Sequence, residues 1–121
     1  MSVIGLDHIQ IAMPSGKEAE ARSFYANILG LTERDKPPGL ANKGGCWFEH
    51  GTLNVHLGID PDFRPAQKAH PGFEVTDLSA ITALLEQIGY SISRGSELEG
   101  YDRVFTSDPF GNRIELLQKI D

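Results

Sequence analysis

His8, His56, His70 and Glu115 are the side chains of this 121-residue chain whose types and spacing suit a metal ion. His8 and His56 lie 48 residues apart, and His70 and Glu115 lie 45 apart. Three imidazoles and a carboxylate suit divalent Zn, Ni, Co, Fe or Mn, with positions left open for a chelating substrate. Such an ion acts as a Lewis acid, polarising a carbonyl while a proton leaves the neighbouring carbon. Each pair begins on one strand-like run and ends on another. Between them lies a helical pattern that closes on glycine, at Gly30 in the first half and Gly89 in the second. Two copies of one unit, each with a ligand-type residue at its first and last strand, form a weak internal repeat. Such a repeat fixes the architecture before any single residue is interpreted.

The elements that must position these residues follow from periodicity. Asp7 to Met13 alternates polar and apolar residues as a half-buried strand does. Ser15 with Glu18 has the spacing of a capping box, which predicts a helix from about Ser15, with Phe24, Tyr25, Ile28 and Leu29 as its apolar face and Gly30 as its cap. Residues 35–45 are rich in Pro and Gly and read as a loop. Cys46–Glu49 and Leu53–Ile59 read as strands joined by a turn at His50-Gly51. Residues 60–69, with Pro61 and Pro65, read as a linker between modules at about 1–60 and 68–121. In the second module His70–Val75 is a strand and Asp77 caps a helix with the stripe Leu78, Ile81, Leu84, Leu85 and Ile88. Strands at Ser91–Ser93, Tyr101–Thr106 and Asn112–Gln118 follow, the last two joined by the turn Asp108–Asn112.

Residues two apart share a face of a strand. Ile9, Ile11 and Met13 therefore oppose His8 and Gln10, and Val55 and Leu57 oppose His56. Phe73 and Val75 oppose His70 and Gly72, while Ile114 and Leu116 oppose Arg113, Glu115 and Leu117. All four candidate ligands point away from the aliphatic face that packs on the helices. If the sheets curl, that opposite face becomes a concave, partly polar cavity. His50, beside Gly51 and without a counterpart in the second half, reads as a solvated turn residue.

The net charge of −6 and the scattered Lys and Arg argue against a nucleic-acid partner and against an anionic membrane surface. No apolar run approaches the roughly 20 residues of a membrane span. The N-terminus lacks the pattern of a signal peptide, and the single cysteine, Cys46, fits a reducing compartment, so a cytoplasmic location is expected. Cys46 reads as a small buried hydrophobe beside Trp47.

The order strand–helix–three strands, twice, with Leu6-Asp7-His8 near the start, Phe24-Tyr25 and Leu29-Gly30-Leu31 in the first helix, and Asp108-Pro109-Phe110-Gly111-Asn112-Arg113-Ile114-Glu115 near the end, resembles the vicinal oxygen chelate superfamily. Glyoxalase I, methylmalonyl-CoA epimerase, extradiol dioxygenases, fosfomycin-resistance thiol transferases and bleomycin-resistance proteins belong to that group. The resemblance covers Gly5 to Gln118. It implies an α+β protein of two βαβββ modules forming a paired half-barrel. It also implies ligands on the first and fourth strands of each module, here His8, His56, His70 and Glu115.

Three functions follow from the resemblance. A metal-dependent lyase or isomerase acting on a small oxygen-bearing metabolite or xenobiotic is favoured, with Glu115 as the proton acceptor if it partly detaches from the ion, Tyr101 and Glu74 as weaker candidates, and Arg64, Arg103 and Trp47 at the substrate. Glyoxalase I typically has a carboxylate where this chain has His56. A non-haem iron extradiol-type dioxygenase would use His8, His70 and Glu115 as a facial triad with His56 standing off. A metal-free bleomycin-resistance-like binder would use the acidic surface and Trp47, Phe48, Phe63 and Tyr101. Exposed sheet edges, with Pro71 suited to one of them, lead to the expectation of a homodimer.

Overall fold

The computed structural model describes all residues, Met1–Asp121, as two compact units, Met1–Arg64 and Pro65–Asp121. The first unit runs β1 (Ile9–Met13), α1 (Glu18–Arg22, continuing as a π-helical turn over Ser23–Ile28), β2 (Thr32–Arg34), a 3-10 turn (Ala41–Lys43), β3 (Cys46–His50) and β4 (Leu53–Ile59). Its strands form one sheet in the order β1-β4-β3-β2, with β1 parallel to β4 and the other pairs antiparallel. The second unit runs β5 (Gly72–Glu74), α2 (Leu78–Gln87), β6 (Tyr101–Ser107) and β7 (Arg113–Lys119), with sheet order β5-β7-β6. The parallel pairs β1/β4 and β5/β7 are the crossovers that a helix must bridge.

In the first unit the predicted apolar face is the core. Ile11, Met13, Phe48, Val55 and Leu57 from the sheet pack with Ala21, Phe24 and Tyr25 from the helix, each at most 7% exposed. Phe24 and Tyr25 are consecutive yet both fully buried, and the wide turn that holds them is closed by Leu29 N–H donating to the Phe24 carbonyl at 2.9 Å. The helix does not start at Ser15. It starts at Glu18, because Gly16 takes φ +77°, a left-handed conformation through which a right-handed helix cannot propagate. Glu18 makes no capping box. Its Oε2 accepts from the Gly45 N–H at 2.9 Å and so ties the 35–45 loop to the helix. The strand Thr32–Arg34 escaped the periodicity reading because three exposed polar residues carry no alternation.

In the second unit Phe73, Val104, Ile114 and Leu116 pack under α2, whose buried side is Leu78, Thr82 and Leu85. Asp77 caps α2 as expected, its Oδ1 accepting from Ala80 N–H at 3.0 Å. Leu84 and Ile88, read from the sequence as part of the stripe, are 40% and 49% exposed and flank it. The expected strand at Ser91–Ser93 is reduced to a single bridge, Ser93 with Phe105, so this sheet has three strands where the first has four. The turn into β7 is built on Asp108. Its Oδ1 accepts from Phe110 N–H and Asn112 N–H, and Asn112 Oδ1 in turn accepts from Ala66 N–H.

Candidate functional site

On the polar face of the first sheet, strand register sets four side chains in a row. Arg34 lies opposite Trp47, Trp47 opposite His56, and His56 opposite Gln10, which is two residues from His8. The rings stack. Trp47 and His56 are 3.8 Å apart and 3° from parallel, and His56 and His8 are 4.4 Å apart at 17°. The Arg34 guanidinium sits 5.7 Å from the Trp47 ring centroid, within cation–π range. This stack explains why His56 is only 7% exposed although it faces away from the aliphatic core. Burial pushes its pKa down, and the nearby His8 and Arg34 push it further, against the weaker pull of Asp7. His56 is thereby biased towards the neutral imidazole, the form that ligates metals. His8 Nδ1 lies 2.9 Å from Asp7 Oδ1, which accepts from it and orients the ring.

The second sheet holds the other pair. Glu115 on β7 lies between Gly72 on β5 and Phe105 on β6. His70, just before β5, is fixed at both ring nitrogens: Nδ1 is 2.9 Å from the Lys68 carbonyl and Nε2 is 2.8 Å from Glu115 Oε1. A carbonyl only accepts, so Nδ1 carries a proton. The 2.8 Å contact of Nε2 with Glu115 Oε1 has the length of an ordinary hydrogen bond or ion pair. An imidazole oriented by a backbone carbonyl through its far N–H is the usual support for a metal-bound histidine. The other oxygen, Oε2, accepts from Arg103 Nη1 at 3.3 Å, and Arg103 is itself anchored to the Ser96 carbonyl by Nη2 at 2.9 Å. The donor set thus fits a divalent ion in kind. Within each unit it amounts to two residues, and no cluster of three His, Cys, Asp or Glu side chains forms.

The remaining sequence-derived candidates are placed as follows. Trp47 and Arg103 directly touch ligand-type residues. Tyr101 shares a face of β6 with Arg103 and Phe105, four residues from the Phe105 that pairs with Glu115, or about 13 Å along a strand. Arg64 is exposed at the end of the first unit. Cys46 is buried, its thiol pushed up to about 11 chiefly by burial, which makes it unreactive near neutrality. Glu74 pairs loosely with Lys119 at the exposed edge. Two cations beside the second pair were not singled out from the sequence, Lys68 and Arg113. Arg113 lies two residues before Glu115 and so on the same strand face, a signal that period-two reading contains. Lys68 had no such signal, because it lies in the linker.

Residues 5–116 match the model of the glyoxalase/bleomycin resistance protein/dioxygenase superfamily. Among solved structures, the chain is similar to a Bacillus anthracis protein assigned to the glyoxalase family, with 38% identity and a TM-score of 0.92 over 99% of this chain and 98% of that one. A glyoxalase/dioxygenase from Nostoc punctiforme matches at 21% identity and TM-score 0.75, covering 100% and 99% of the two chains. An antibiotic-binding protein from Streptomyces sp. CB03234 matches at 19% identity and TM-score 0.73, covering 99% of each. No curated protein matches the chain in sequence.

Proposed function

Because the chain belongs to the glyoxalase/bleomycin resistance protein/dioxygenase superfamily, we propose that it is a metal-dependent enzyme of the lyase or isomerase kind, acting on a small oxygen-bearing metabolite or xenobiotic. His8, His56, His70 and Glu115 are its ligands in this reading. The observation that supports it most is that His70 Nε2 and Glu115 Oε1, two ligand-type atoms, are brought within 2.8 Å of each other while Nδ1 is oriented by the Lys68 carbonyl. A bound divalent ion would supply Lewis acidity to a substrate oxygen. The chain's own residues do the rest. The Lys68 carbonyl holds His70 in one tautomer, and the Trp47 and His8 rings hold His56 in one orientation while burial keeps it neutral. Arg103 steadies Glu115 through Oε2, and Oε1, which faces His70 Nε2, would bind the ion or take up a proton from the substrate. Tyr101 is the second candidate for that proton, and Arg64, Arg103 and Trp47 are the proposed substrate contacts. The N-terminal arm supports a homodimer, since Val3, Ile4 and Leu6 are 93%, 99% and 81% exposed and unburied apolar side chains of that kind favour association. No helix is long and apolar enough to cross a membrane.

Elemental analysis of the full chain and of its His8→Ala, His56→Ala, His70→Ala and Glu115→Ala variants tests this. The expected result is near-stoichiometric metal in the wild type and weakening in each variant beyond the ~10–100-fold that outer-shell changes cost. Metal retained by His56→Ala alone would favour the facial-triad dioxygenase. A wild type that takes up no metal after reconstitution would overturn the enzyme reading in favour of a small-molecule binder, the role carried in the name of the Streptomyces neighbour.

A further inference from the structure

The second unit contains a cavity of about 280 Å³ whose lining includes Lys68, Arg103 and Arg113 and no carboxylate. The chain carries −6 net with 17 acidic residues, so three cations converging on one hollow reverse its overall charge. Arg103 is occupied by Ser96 and Glu115. Lys68 and Arg113 take part in none of the chain's ion pairs. Arg113 lies over Phe105, its guanidinium carbon 4.2 Å from the ring centroid, and its Nε is buried without a hydrogen-bond partner. A buried guanidinium N–H without a partner is costly, so Arg113 keeps donor capacity that the chain itself does not use.

The cavity is shaped as well as charged. A Cβ on Gly95 would come within 2.7 Å of the Phe105 ring, so the 95–96 loop lies directly against the platform that carries both arginines. Phe105 and Arg113 also line a second hollow of about 320 Å³, whose other walls carry the hydroxyls of Ser91, Ser93, Thr106 and Ser107. The pair of hollows therefore has room for more than a bare ion.

We infer that this cavity is a binding site for a small oxyanion, a carboxylate or a phosphoryl group, held by the Arg113 fork and the Lys68 ammonium beside the His70–Glu115 pair. A planar guanidinium presents two parallel donors that match either anion, and Lys68 adds a point charge. The site stands without the metal reading. Where both hold, it gives the substrate an acidic group next to its chelating oxygens.

The test is titration of the EDTA-treated full chain with inorganic phosphate and, separately, with benzoate, followed by ¹⁵N NMR at low salt. Saturable binding with a Kd of about 5 mM or tighter for at least one anion is expected, with the Arg113 Nε–H resonance shifting. Saturation by phosphate alone assigns a phosphoryl ligand, and by benzoate alone a carboxylate. Arg113→Gln should weaken binding about tenfold, and Lys68→Gln about threefold, with Arg113→Lys between wild type and Arg113→Gln because charge is kept and the fork is lost. Arg34→Gln, on the other unit's sheet, should change nothing. No saturation by either anion, or equal binding by wild type and the Lys68→Gln and Arg113→Lys variants, overturns the inference. Lys68→Gln changes an exposed side chain and Arg113→Lys keeps the charge, so the result does not hinge on whether Arg113→Gln folds. Because the protein is metal-free, loss of this site leaves the metal proposal intact, and failure to bind metal leaves this site intact.

Discussion

Asp108 holds the turn from which β7 starts, and β7 carries both Arg113 and Glu115, so its removal tests how the second half of the site is built. The side chain is 3% exposed. Oδ1 accepts from Phe110 N–H and Asn112 N–H, each at 2.9 Å, and Oδ2 accepts from the Asn112 side-chain amide at 3.0 Å. Hydrogen bonds to a charged partner contribute roughly 1.5–3 kcal/mol each. Phe110 is half-buried, so water can replace its bond in a variant, but Asn112 is 2% exposed and water does not readily replace the two bonds it gives to Asp108. Asp108→Ala should therefore cost about 3–5 kcal/mol, a large part of the ~5–15 kcal/mol that stabilises a typical domain. Asp108→Asn separates charge from geometry. It keeps the Oδ1 bonds but sets an NH₂ against the Asn112 amide, which cannot turn over without losing its bond to Ala66 N–H. The expected cost is about 1–3 kcal/mol, clearly below that of the alanine variant. Urea unfolding followed by far-UV circular dichroism, at one chain concentration, measures both. A loss under about 1 kcal/mol for Asp108→Ala, or equal losses for the two variants, would refute the account of this turn as a charge-anchored structure.

Two more predictions concern the first unit. Gly45 has φ +78°, and a Cβ there would overlap the Leu57 backbone carbonyl oxygen, whereas Gly30 has φ +80° and open space around it. Gly45→Ala should cost more than about 3 kcal/mol and Gly30→Ala only about 1–2, read by the shift of the urea midpoint. Cys46 is buried with its thiol raised from 9.0 to about 11. The folded state keeps the proton that the unfolded chain releases, so this contribution is full below pH 9 and is lost as pH rises towards 11. Wild type should lose stability across that window faster than Cys46→Ala, and its thiol should resist alkylation at neutral pH until urea unfolds the chain.

Period-two alternation made most of the site legible. It put His56 and Glu115 on the faces opposite Val55 and Leu116, and that is where they lie. It did not show that these faces would be covered. Burial of His56 comes from Trp47 and His8, two rings brought over it by strand register, and register between strands is a non-local property that hydropathy does not encode. Glycine explains one local difference: Ser15 and Glu18 have capping spacing, but Gly16 takes a left-handed turn between them and frees Glu18 to hold the 35–45 loop. The missing strand at Ser91–Ser93 is the reverse case. Its alternation is real, but only Ser93 finds a partner, as Arg103 and Gly95 keep the following loop against Phe105.

The repeat is clearer in pairing than in residue type. His56 sits between Gln10 on the first strand and Trp47 on the hairpin strand, and Glu115 sits between Gly72 and Phe105 at the equivalent places. Each unit thus sets its ligand-type residue beside an aromatic ring, with a histidine at the entry to the parallel strand. What differs is the charge around the plan. In the first unit burial favours the neutral form of His56, which is stacked between Trp47 and His8. In the second, a buried carboxylate is held by His70 and Arg103, with Lys68 and Arg113 facing the adjacent hollow. Imidazole nitrogens suit borderline cations, whereas a carboxylate among cations combines a hard donor with anion recognition. If the proposed function holds, the first unit would offer imidazole donors to the metal and the second a carboxylate donor with cations beside it. On this argument the loss of Arg113 should weaken anion binding and leave metal content unchanged, while the loss of His56 should do the opposite.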